Sequence, residues 1–162
     1  MKKQNTKNNI NNNVLSDLFN ILNQIEYFIE STTLLNATFN LNKKIIDGNT
    51  EIFNIGIEEF FEYDFLDLRS ELLNKGFQIE NHLGGYKIIG KSIKINVLVF
   101  KDIGDRLIYR YKDLSDYFKN YYVMKNDLFP IIKYKYQNCF MKGAKNPYNY
   151  LERVYRIKQN KN

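Results

Sequence analysis

The sequence predicts one α+β domain built on a small mixed β-sheet flanked by helices. Three observations predict it. Apolar residues recur at two periods in one chain, near 3.6 over residues 14–30 and 57–75 and near 2 over "IKINVLVF". The strand candidates between 77 and 100 are separated by glycine turns rather than by long helices. The 162 residues suit a single domain, and 44% hydrophobic and 15% aromatic content supplies a core that needs no disulfide or structural metal.

Residues 1–12 read as a disordered Asn/Lys-rich tail and 157–162 as a basic tail, leaving 13–156 as the domain. Leu15, Leu18, Leu22, Ile25 and Ile29 line one face of a helix over about 14–30, capped by Asn13 or Ser16. "STTLLNATF" is β-leaning and reads as a short strand or strand turn. "NLNKK" is a loop, and Asp47-Gly48-Asn49 is a turn between two apolar runs. The second run, Glu51 to Ile57, is a strand. Residues 57–75 form a helix, with Ile57, Phe61, Phe65, Leu68 and Leu72 on one face and Gly76 as its stop. "FQIENHLGGYKIIGKSIKINVLVF" holds two or three strands. In the last of them Ile93, Ile95, Val97 and Val99 face one way, and Lys94, Asn96, Leu98 and Phe100 the other. Pro130 sits at a strand start or edge, and Pro147 opens a short helix, "YNYLERVY".

Several classes of function are disfavoured by composition. One cysteine, Cys139, excludes an intramolecular disulfide and a cysteine-based zinc site; one histidine, His82, excludes a His cluster. No motif supports a Cys139/His82 nucleophile pair, so Cys139 reads as a small buried apolar residue and His82 as a turn residue. No window is apolar enough to span a bilayer, and the basic N-terminus lacks the apolar stretch of a signal peptide, so a cytoplasmic protein is expected. The net charge of +6 is diffuse and suits solubility. "IYRYK", "NYY" and "KYKY" interleave aromatics with cations, as single-stranded nucleic-acid binders do. Alternation in amphipathic strands explains them equally, and nucleic acid is the less favoured partner.

Four segments taken together carry a resemblance. "STTLLNA", "IIDGNTEIFNIGI", "KGFQIENHLGGYKIIGKSIKINVLVF" and "LFPIIKYKYQNCF…NPYNYLERVY" follow one another in the order of motifs in the LicD/fukutin-like family, over about residues 14–155. The chain thus resembles that family, which has a nucleotidyltransferase-type fold. The resemblance implies transfer of phosphate-linked groups, such as phosphocholine or ribitol phosphate, from a CDP-linked small-molecule donor to a glycan acceptor, with Mg or Mn as cofactor. It implies catalytic positions at Glu51, Asn54 and Asn96, with Glu51 as metal ligand, and donor contacts from Thr32, Thr33 and Lys94.

The chemistry asks for more than these residues offer. Phosphoryl-type transfer relies on divalent ions held by ionised carboxylates, two of them at i and i+2 on one strand face. Here two expected Asp positions are Asn54 and Asn96, which keep an acceptor oxygen but lose the charge. Glu51 and Asn54 lie on opposite faces of a regular strand, so only a β-bulge would bring them together. Thr32 and Asn36 stand where the family has glycine. Glu62 and Asp64 fall about 200° apart on a helix and read as a solvated face. Three readings follow: a degenerate or low-activity relative, a pseudoenzyme serving a protein partner or scaffold; an active metal-dependent transferase; and a basic nucleic-acid binder.

Overall fold

A computed structural model describes residues 13–41 and 43–157. The expected tails over 1–12 and from 158 onward lie outside the described residues. The architecture is α+β: a mixed sheet flanked by helices, joined by a separate two-stranded hairpin.

The sheet is built around two long strands. β3 (Thr50–Glu58) and β6 (Ile93–Asp102) run parallel, in unbroken register from Glu51 opposite Ile93 to Glu58 opposite Phe100. β6 also pairs antiparallel with β5 (Gly85–Ile89), which pairs with β4 (Gln78–His82). β7 (Arg106–Tyr109) extends the far end of β6 and pairs with β8 (Val123–Met124). The outer edge of β3 is shared. β2 (Ile46–Asp47) covers Glu51 and Thr50, while β1 (Phe28–Ile29) covers Gly56 and Ile55. β9 (Ile132–Tyr136) and β10 (Cys139–Gly143) form the hairpin.

Alternation decides which face is the core. Phe53, Ile55 and Ile57 of β3 and Ile93, Ile95 and Val97 of β6 are nearly inaccessible. α1, residues 13–22, covers this face, and the Phe19 ring meets Phe53 at 5.9 Å. The opposite face is mixed. Asn96 and Leu98 are half-buried there, whereas Phe100 is buried against Phe28 with ring centroids 5.2 Å apart. Gly56 lies beneath those two rings; a Cβ there would stand 2.5 Å from Phe28 and 2.7 Å from Phe100.

Four expectations need correction. "STTLLNATF" is a helix, α2 (Ser31–Phe39), not a strand. Its β-branched residues are overruled by packing, since Thr33, Leu34, Asn36 and Ala37 are buried. The first helix ends at 22 rather than 30, because the chain tightens into i→i+3 bonds at Gln24 and Ile25 and then enters β1. Ile57 belongs to β3, not to the following helix. That helix is a 3₁₀ turn (Glu59–Phe61) followed by two short helices, α3 (Glu62–Asp67) and α4 (Arg69–Asn74), broken at Leu68. The remainder is α5 (Lys112–Tyr117), α6 (Lys125–Leu128) and α7 (Tyr148–Tyr155), the last with the bounds the sequence suggested.

Candidate functional site

Where β1 gives way to β2, the edge of β3 has a gap at Asn54, and the first turn of α2 fills it. The Glu30 backbone N–H donates to Asn54 O at 3.0 Å. The Asn54 backbone N–H donates to Thr33 Oγ1 at 2.8 Å. The strand edge is thereby satisfied without a third strand, and the start of α2 is fixed beside the Asn54 side chain.

That side chain faces across to its register partner on β6. Asn96 Nδ2 donates to Asn54 Oδ1 at 3.0 Å, and Asn54 Nδ2 donates to Thr32 Oγ1 at 3.0 Å. Asn54, Asn96 and Thr32 thus converge. They form the polar floor of a cleft of about 340 Å³. Ser31 and His82 add polar groups at its sides, and Phe118, Tyr121 and Tyr155 form an aromatic wall.

The other implied residues are elsewhere. Glu51 is not beside Asn54. The β3–β6 register holds no bulge, so Glu51 projects from the opposite face, toward Lys44 at 3.8 Å. Burial raises its pKa, Lys44 opposes the rise, and the Tyr136 hydroxyl stands next to it. The residue two before Asn54, on the cleft side, is Ile52, which cannot ligate a metal. Thr33 is buried and occupied by the β3 backbone, so it does not line the cleft. Lys94 precedes Asn96 by two positions on the same face, outside the cleft lining.

These residues do not fit a divalent ion. Mg²⁺ and Mn²⁺ prefer anionic oxygens. Among the described residues the lining of the cleft contains no Asp or Glu, and Asn54 Oδ1 already accepts a hydrogen bond. Among the described residues, no group of three or more His, Cys, Asp or Glu is gathered as a metal site.

Sequence reasoning missed two features. Glu30 is 1% exposed just behind the cleft. Its Oε1 accepts from the Tyr109 hydroxyl at 2.6 Å and the Tyr150 hydroxyl at 2.8 Å, while Oε2 accepts from Ser31 Oγ. Burial raises its pKa, and the three hydroxyls oppose the rise. A single Glu in "FIEST" carries no spacing signal that could have exposed it. The second feature is the β4–β5 turn. Leu83 and Gly84 have φ of 47° and 70°, the two left-handed residues of a tight hairpin turn. Leu is strained there, yet it places His82 and Leu83 on the cleft rim. Burial, Lys87 and Lys94 together lower the His82 pKa.

Cys139 is buried, with its thiol pushed up to about 11, chiefly by burial. It lies near Glu51, across the sheet from His82, so no nucleophile pair forms. In "KYKY" the cations and rings separate. Lys133 and Lys135 are exposed, whereas the Tyr134 hydroxyl donates to Ala144 O at 2.5 Å and Tyr136 packs on Phe53. Among the described residues, no helix is long and apolar enough to cross a membrane.

No protein-family profile matches the chain. The chain is similar to an uncharacterized protein of Rickettsia typhi, with 30% identity over 133 residues. The match covers 82% of this chain and 40% of that protein, so the chain spans about two fifths of its relative's length.

Proposed function

We propose that the chain is a degenerate relative of the LicD/fukutin-like transferases, which keeps a donor-binding cleft and has lost metal-dependent transfer. One observation carries this. The two positions where the resemblance implies metal-binding carboxylates, Asn54 and Asn96, are in contact on the cleft floor beside Thr32, yet all three side chains are neutral and bonded to one another. Each carboxylate replaced by an amide removes several kcal/mol of attraction for a nearby cation, on the order of 4 kcal/mol at an effective dielectric of ~20. Lys87 and Lys94, close enough to the rim to depress His82, favour an anionic ligand in place of a cation. The unpaired Cys139 thiol is in keeping with a reducing cytoplasm.

The test is thermal melting with CDP-choline and CDP-ribitol, in EDTA and in Mn²⁺, alongside an assay for CMP release. At tenfold excess over Kd the ligand contributes about 1.4 kcal/mol, a rise of roughly 3–6 °C for a domain of this size. The expected result is the same rise in EDTA and Mn²⁺, with no CMP released. Mn²⁺-dependent release of CMP would establish an active transferase instead. The absence of any shift with either donor would remove the donor-binding claim altogether.

A further inference from the structure

We infer that the cleft takes the heterocyclic base of a nucleoside, its edge on the Asn54–Asn96 amide pair and its face against the Tyr121 ring, with Phe118 meeting it edge-on and no metal between. This deepens the donor-binding reading and rests on it for the cleft's being a ligand site.

The amide pair is the first ground. Asn54 uses one N–H on Thr32 and its oxygen on Asn96, and Asn96 uses one N–H on Asn54. Among the described residues this leaves Asn96 Oδ1 as an acceptor and one N–H on each amide as donors. Neighbouring donors and acceptors match the edge of a base, which alternates N–H and lone pair. A phosphate offers only acceptors and would leave Asn96 Oδ1 facing like charge. A cation would face N–H dipoles.

The aromatic wall is the second ground. Tyr109, Phe118 and Tyr121 cluster with centroids 4.9 to 6.5 Å apart, and Phe118 and Tyr121 are half-buried at the cleft surface. Leu98 and Leu114 continue the apolar lining. Phe118 and Tyr121 are inclined at 66° to each other, so a planar heterocycle stacks on one ring and meets the other at its edge, with the donor–acceptor floor beside it. The volume of about 340 Å³ lies within the usual range for small-ligand sites. The cations come third. Lys87 is the register partner of Asn96, and Lys94 precedes Asn96 by two positions. Both therefore flank the floor without lining the cleft, where a phosphate attached to the nucleoside would leave it.

Calorimetric titration of the whole chain in EDTA tests this, using cytidine, uridine, adenosine and guanosine, with ribose 5-phosphate as the base-free probe. At least one nucleoside is expected to bind while ribose 5-phosphate does not. Tyr121→Leu is expected to weaken that binding at least about fivefold, the low end for loss of one stacking ring. Asn96→Leu is expected to abolish it, with the melting temperature of each variant confirming a folded chain. The inference is overturned if no nucleoside binds at millimolar concentration, if ribose 5-phosphate binds as well, or if Tyr121→Leu leaves affinity unchanged. The two claims fail separately. Nucleoside binding without any gain from CDP-choline sinks the transferase kinship and keeps the base site. CDP-choline binding in EDTA, with no nucleoside binding, does the reverse.

Discussion

Replacing both floor amides by carboxylates probes the site most directly. Asn54 and Asn96 are register partners whose side chains already touch, with Asn96 Nδ2 3.0 Å from Asn54 Oδ1. Each single change to Asp removes or rearranges one neutral hydrogen bond, worth about 1 kcal/mol. The double change adds repulsion. Two charges about 4 Å apart repel by about 4 kcal/mol at an effective dielectric near 20, and by about 1 kcal/mol in water. The cleft opens to solvent and both residues are half-buried, so a coupling of about 2 kcal/mol is expected beyond the sum of the singles. Urea denaturation of wild type, Asn54→Asp, Asn96→Asp and the double variant in EDTA at pH 7 gives that coupling as a double-mutant cycle. The pH dependence has a definite sign. Repulsion raises the pair's folded-state pKa, so the lost stability returns as pH falls through that raised value and one carboxyl protonates. Mn²⁺ is expected to stabilise the double variant and leave the wild type unchanged. A coupling below about 0.5 kcal/mol at pH 7, the ordinary limit of additivity, would mean that the two side chains do not meet on the cleft floor.

Three further outcomes are expected. Because burial raises the Glu30 pKa above its unfolded value, the part of the stability that Glu30 contributes is full at acid pH and declines as pH rises past about 4.3 and through the folded value. Glu30→Gln should flatten that decline, as read by urea midpoints across pH 4–8. Leu83→Asn should stabilise by about 0.5–1 kcal/mol, because Asn tolerates the left-handed turn position that strains Leu, while altering the cleft rim; thermal melting checks it. Gly56→Ala should destabilise by about 1–3 kcal/mol, since the new methyl must displace the Phe28 and Phe100 rings, and a fall in the urea midpoint at unchanged slope would show it.

The parts legible in the sequence were those whose burial follows a period. β6 and α7 were read from alternation and from Pro147, and the β4–β5 pair from its glycines. α2 was not legible, because Ser31, Thr32 and Thr33 lean toward strand, and the helix exists only by filling the gap on the edge of β3. Asn54, Asn96 and Thr32 were singled out from motif order, and their side chains meet. Glu51 was misplaced because a bulge was needed to bring it round, and the observed register has none. Glu30 was invisible for a different reason: its partners Tyr109 and Tyr150 are 79 and 120 positions away, and no local pattern encodes such a meeting.

The bond from Tyr150 to Glu30 also says how small a working fragment can be. Every strand among the described residues is complete by Gly143, so a shortened chain ending there would look finished on paper. It would nevertheless leave the buried Glu30 carboxyl stripped of a hydroxyl that α7 delivers. Nicking between residues 143 and 148 should therefore behave as loss of a keystone, collapsing the whole unit at once instead of trimming an ornament.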